Sequence, residues 1–226
     1  MLTPLVRAYI SVVVGSGAIA LGVAVHQLHI ANPGIFAILG LLAIIGGGLK
    51  IRVPGIDGTL SLSFVPLILA TVLLSLPQAI LITSVAVLAQ VTVFAKKFRW
   101  VQAAFNCGAL ILSVTFAGLM GGLLAGQQVE LIRLALVGGI FYLTNSVLVT
   151  TVIGLAEDRP VREIRNDCSR LYLPYFAAGL GCALLAISGV TPDERRALQY
   201  PGLVILPAML LTRHYFNTFF IRQLAN

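Results

Sequence analysis

Residues 60–94 read LSLSFVPLILATVLLSLPQAILITSVAVLAQVTVF, without one charged side chain. A helix that crosses a hydrocarbon layer about 30 Å thick needs roughly 20 apolar residues, so this run is too long for a single crossing. Ser75-Leu76-Pro77 divides it, because proline lacks an N–H and is tolerated in the first turn of a helix but not in its interior. The stretch therefore predicts two membrane helices, residues 60–75 and 77–94, joined by a tight turn.

Working outward, further apolar runs broken by short polar or proline-containing joints place spans at residues 8–28, 34–49, 101–124, 134–155, 171–190 and 201–218. The expected fold is all-α, a polytopic membrane helix bundle of about eight transmembrane helices, forming a single integral membrane domain over residues 1–226. Composition agrees: 58% of residues are hydrophobic, 10% are charged, and the mean hydropathy is +0.99. These values exclude a water-soluble globule.

The basic residues orient the bundle, since Lys and Arg accumulate in cytoplasmic loops. Arg7 precedes the first span. Lys50 and Arg52 follow the second, Lys96, Lys97 and Arg99 the fourth, Arg159, Arg162, Arg165 and Arg170 the sixth, and Arg213 and Arg222 flank the end of the eighth. Only Arg133, Arg195 and Arg196 fall in the remaining joints. This alternation predicts both termini in the cytoplasm, and merging the third and fourth spans into one would break it. The same scatter of cations, in a chain of net charge +7, contains no long basic run, so no nucleic-acid partner is expected.

Local signals add detail. Asn32-Pro33-Gly34, Leu76-Pro77 and Tyr200-Pro201-Gly202 mark helix starts. Thr59, Ser61 and Ser63 are candidate caps for the third span, and Pro66 and Pro207 are expected to kink the third and eighth. Gly118, Gly122 and Gly126 recur at four-residue spacing on the fifth span, a pattern that lets helix backbones approach closely in lipid, so they are helix-packing candidates. Gly46-Gly47-Gly48 weakens a helix end and leads into residues 51–58, the candidate irregular or re-entrant element. Residues 156–165 suit a short helix on the cytoplasmic membrane surface.

Chemistry is sparse. No Asp, Glu, Lys or Arg occupies the central turns of the spans, and the chain has no HExxH, GxSxG or P-loop. Cys107, Cys168 and Cys182 are too far apart for a metal or disulfide framework, and His26 and His29 supply too few ligands for a metal site. No catalytic residue, metal or cofactor is expected. The spans do carry neutral amides, and a buried amide needs a partner. Gln90, Gln102, Asn106, Tyr142 and Asn145 are the candidate ligand-binding residues, with helix-to-helix packing as the alternative role.

Several segments carry a resemblance: Pro54-Gly55-Ile56-Asp57-Gly58-Thr59-Leu60-Ser61-Leu62-Ser63-Phe64, Phe105-Asn106, Phe141-Tyr142-Leu143-Thr144-Asn145-Ser146 running on to Ile153-Gly154-Leu155-Ala156-Glu157-Asp158-Arg159-Pro160, and Leu173-Pro174-Tyr175. Together, over roughly residues 50–222, they resemble the multi-pass sensory region found ahead of bacterial HD-GYP phosphodiesterase and GGDEF cyclase domains. The resemblance implies a non-enzymatic sensory or regulatory module of the bacterial cytoplasmic (inner) membrane. The resemblance implies a signal passed inward towards cyclic-di-GMP signalling, while the intramembrane amides, in spans without central charges, are what point to a small neutral or apolar ligand, or the state of the membrane, as the thing perceived. Expected partners are membrane lipids and a cytoplasmic signalling enzyme, with a second copy of the chain as a further candidate. The alternative is a solute transporter, or the substrate-binding membrane component of one, whose partner would be a transporter subunit.

Overall fold

A computed structural model of the chain describes residues 3–52, 59–94, 100–123, 130–157, 159–188 and 201–225. Among these the elements run α1 (Pro4–His26), α2 (Pro33–Gly48), β1 (Lys50–Arg52), β2 (Thr59–Ser61), α3 (Phe64–Leu73), α4 (Leu76–Thr92), α5 (Trp100–Gly122), α6 (Glu130–Glu157), α7 (Val161–Ser188) and α8 (Pro201–Ala225). The fold is helical, as expected. The correction is a two-stranded antiparallel hairpin in which Lys50 pairs with Ser61 and Arg52 with Thr59. It frames the stretch singled out as irregular, whose tip, residues 53–58, lies outside the described residues.

Helix starts follow local capping. Val6 N–H donates to the Thr3 hydroxyl at 3.4 Å and Ile35 N–H to the Asn32 side chain at 3.2 Å, each satisfying a first-turn donor with no partner inside the helix. At α4 the Ser75 N–H donates to Gln78 Oε1 at 3.3 Å, while Gln78 Nε2 donates to the His29 carbonyl at 2.6 Å. That second bond ties the start of α4 to the α1–α2 joint. At the other end, Lys50 Nζ donates to the carbonyls of Gln90 (3.4 Å) and Phe94 (3.1 Å), joining the chain just after α2 to the end of α4. Helices α2 and α4 are thus parallel neighbours, and α3 returns between them.

Among the described residues three helices are long and apolar enough to cross a membrane: Pro4–His26, Trp100–Gly122 and Leu131–Glu157. α2, α3 and α4 are apolar but shorter. α3 has 10 residues, about 15 Å at about 1.5 Å per residue, half of a hydrocarbon layer. It is shorter than the predicted 60–75 because the chain is still in β2 at Ser61. As a result Pro66 sits in the first turn of α3, where it deprives the helix of no bond, and the expected kink there does not arise. Nor does Ser63 cap α3 through its side chain; its hydroxyl lies 2.9 Å from that of Ser61. The predicted surface helix at 156–165 and the predicted seventh span are also redrawn. α6 runs to Glu157, Arg159 N–H donates back to the Gly154 carbonyl at 3.1 Å, and α7 is continuous from Val161 through Pro174.

α3 is the hub. Phe64 through Val72 are all buried, and α2, α4, α5, α6 and α7 pack around it. Glycines allow the closest approaches in the bundle. A Cβ on Gly17 of α1 would fall 2.6 Å from Gly108 Cα of α5, and one on Gly108 would fall 2.8 Å from the Val13 carbonyl oxygen. A Cβ on Gly46 of α2 would meet the Ser63 backbone at 2.9 Å and Met209 Cε of α8 at 2.8 Å. The expected stripe on α5 divides. Gly118 packs against Leu76 and Thr71, Gly122 faces open space, and Gly126 lies outside the described residues. The packing glycines of α5 are therefore Gly108, Gly118 and Gly121, which a single four-residue period does not describe.

Candidate functional site

The hub end of α3 carries an aromatic group. Phe64 stacks on Phe176 of α7 with ring centroids 4.9 Å apart, and Phe176 in turn faces Phe141 (6.4 Å) and Tyr142 (4.9 Å) of α6. Gly179, one turn after Phe176, makes room for this: the Phe64 ring occupies the place where its Cβ would be. Such ring pairs add direction to what is otherwise nondirectional apolar packing.

A second group lies on α1, α5 and α6. Tyr9 hydroxyl donates to the Leu148 carbonyl at 3.1 Å, and its ring lies 6.2 Å from that of Phe105. Val13, Phe105 and Ala109 are buried here, with Tyr9, Ile10, Leu148 and Val152 packed against them. A tyrosine hydroxyl in an apolar setting needs an acceptor, and a helix carbonyl has a second lone pair to give.

Asn145 lies between these two groups. It is three residues after Tyr142 and three before Leu148, so all three positions follow one side of α6. Asn106 directly follows Phe105 on α5, the helix packed beside α6. Asn106, Tyr142 and Asn145 are each half-buried. Among the described residues no hydrogen bond links the side chains of Gln90, Gln102, Asn106 and Asn145 to one another. Gln90 is half-buried on α4, far from Asn145 in the element order, with its Cβ 3.4 Å from where a Cβ on Gly47 would lie. Gln102 is exposed on α5. The expected amide set thus separates into Asn106 and Asn145 on adjacent helices, Gln90 at the α2–α4 contact, and Gln102 at the surface.

Sequence reasoning passed over Tyr9 and Phe176, although a tyrosine near the start of the uncharged run of residues 8–25 is a signal that a partner is required. It also treated Lys50 as a topological charge only. Lys50 is half-buried, and burial pushes its ammonium pKa below the usual lysine range, while the carbonyls of Gln90 in the last turn of α4 and of Phe94 just past it, at the negative end of the helix dipole, favour the charged form. His26 and His29 are exposed at the α1–α2 joint. Among the described residues no three His, Cys, Asp or Glu side chains stand close enough to hold a metal ion.

An apolar helical bundle with long lipid-type helices and neutral polar groups between them defines a membrane-associated domain, and the comparison with known families narrows this to a sensory one. The sequence model of the MASE9 family, a family of membrane-associated sensory domains, matches residues 19–187. This is well over half of the chain, which belongs to that family. The matched stretch runs from within α1 to the last turn of α7 and contains the aromatic group, Asn106, Asn145 and the hairpin; α8 lies beyond it. No curated protein and no solved structure matches the chain.

Proposed function

We propose that the chain is a non-enzymatic sensory module of the bacterial cytoplasmic membrane. In this reading it crosses the bilayer eight times with both termini inside, and it relays the presence of a small neutral or apolar ligand, or the bilayer state, to a cytoplasmic signalling enzyme of the cyclic-di-GMP type. Membership of a sensory family supports the class. The observation that carries the ligand reading is the pair Asn106 and Asn145, half-buried on the adjacent helices α5 and α6, within a turn of Phe105 and Tyr142 in the chain, and without hydrogen bonds to each other or to Gln90 and Gln102 among the described residues. An amide in lipid without a partner is costly, so a ligand that offers one donor or acceptor and an apolar body gains there. Neither amide carries a charge, so the ligand they suit is neutral.

Native mass spectrometry of gently solubilised protein tests this directly. A co-retained small molecule is expected in the wild type and is expected to be lost from Asn145→Leu, while the melting temperature of the emptied protein moves little. Equal retention by both proteins would rule out the assignment. Tags on the two ends, each tested for accessibility from outside the cell, check the orientation.

A transporter, or the membrane component that binds its solute, is the second reading. It draws on one feature: α3 is a half-length helix preceded by non-helical backbone, the arrangement by which discontinuous helices build midplane sites in carriers. Uptake of a solute by proteoliposomes containing the chain would favour it over the sensor.

A further inference from the structure

The hairpin is attached tightly at both ends. Only Leu49 separates β1 from α2, and only Leu62 and Ser63 separate β2 from α3; Leu49 and Leu62 are buried. Val65 N–H donates to the Leu62 carbonyl at 3.2 Å and Leu67 N–H to the Ser63 carbonyl at 3.2 Å, so the first turn of α3 already includes the hairpin's exit. The residue that opens α3 is Phe64, the ring stacked on Phe176.

A hairpin of three residues per strand has little stability of its own in any solvent and is held by what it docks on. Two such contacts are on either side of it. Lys50, the first residue of β1, spans the Gln90 and Phe94 carbonyls at the end of α4, where the last carbonyls of a helix lack intrahelical donors and the dipole favours a cation. On the other side α8 packs against β1 and α2, with Met209 beside Gly46 and the Ser63 backbone. α3 packs against α2, α4, α5, α6 and α7 but not extensively against α8.

We infer that the β1–β2 hairpin, strapped to α4 through Lys50, is the mechanical link that carries a displacement of α3 to α8. The inference rests on the sensory reading for its purpose. Movement of the Phe64 ring shifts the start of α3, the joint at Leu62–Ser63 is too short to absorb the shift, and the paired strands pass it to the helix that lies against β1. The Lys50 strap sets the fulcrum: it fixes the β1 end to α4, so that the hairpin pivots instead of sliding as a whole. The rival routes run from α3 through α7 or α2 directly to α8.

Spin labels at Leu88 of α4 and Leu211 of α8, both exposed, report the distance between the two helices in nanodiscs, in protein whose Cys107, Cys168 and Cys182 are replaced by alanine. Phe64→Leu is expected to shift the 88–211 distance. Adding Lys50→Met is expected to abolish that shift, and Lys50→Arg, which still reaches carbonyls, to retain it. Lys50→Gln, too short to bridge both carbonyls, serves where Lys50→Met does not insert and should give the same loss. An equal shift with and without the strap, or no shift from Phe64→Leu in the otherwise unaltered chain, overturns the link. The measurement uses no ligand and no partner, so failure of the sensory reading leaves its outcome unaffected.

Discussion

Helices α1 and α3 are both almost wholly apolar, yet they occupy opposite environments. α1 leaves Leu5, Val12, Ile19, Val23 and Val25 exposed, and only Val6, Val13, Gly17 and Ala24 are buried. α3 buries every residue from Phe64 to Val72. In water such a difference would show as amphipathic patterning. In lipid, whose tails are as apolar as leucine, burial is no longer encoded by polarity, and close packing decides which face meets protein. α1 docks through small residues that bring two backbones together, whereas α3 docks through side chains that fill the space between five helices.

The largest effect is therefore expected where α1 touches α5 backbone to backbone. Gly108→Val would put methyl groups against the Val13 carbonyl and Val14 Cα, already 2.8 and 3.1 Å from a Cβ alone. No rotamer change relieves a clash with main chain, so the cost falls at the upper end of overpacking, about 3 kcal/mol or more. It should appear as a large drop in melting temperature in detergent. Gly15→Leu, on the same helix but with nothing within 4 Å of its Cβ position, should leave the melt unchanged; a similar drop from both would dissolve the distinction between the two faces of α1.

Next comes the side-chain mode of docking. Phe64→Ala removes the α3 ring that stacks on Phe176, itself the ring that also faces Phe141 and Tyr142. Because the unfolded reference is also apolar, the transfer term largely cancels and the cavity term remains, about 2 to 3 kcal/mol for a lost benzyl group. Thermal unfolding followed by loss of helical circular dichroism checks it. A cost as small as that of an exposed Leu143→Ala change would mean that α3 is not the hub of the packing.

These two modes also explain how much could be read in advance. Pro77, Pro33 and Asn32 announced their helix starts because capping is local, and the glycines at 46–48 followed by Pro54 and Gly55 flagged the hairpin's place though not its strands. Pro66 misled: inside a long apolar run a proline reads as a kink, and only the position of β2 reveals that it lies in a first turn. The Gly118 and Gly122 spacing gave a helix face without saying what stands opposite it. Gly17 and Gly108, which do meet, lie ninety-odd residues apart and share no period. For the amides the sequence showed depth but not company: Gln90 and Asn106 fall at comparable depth on different helices, and one rests at the α2–α4 contact while the other follows the buried Phe105 on α5.

The smallest effect sharpens the picture of α1 itself. Polar contact between α1 and α6 is concentrated at Tyr9, whose hydroxyl donates to the Leu148 carbonyl and also meets the Thr151 side chain. That carbonyl keeps its place in α6 without Tyr9, so Tyr9→Phe leaves no orphaned acceptor and preserves the ring against Phe105. Interhelical hydrogen bonds in lipid average about 0.6 kcal/mol, and Tyr9→Phe should cost about that much, a barely resolved shift in the melt. If the loss approached that of Gly108→Val, α1 would be held mainly by its hydroxyl, and the contrast between docking by backbone contact and docking by side chains would have to give way to one in which a polar anchor near the end of α1 fixes its register before the glycines meet.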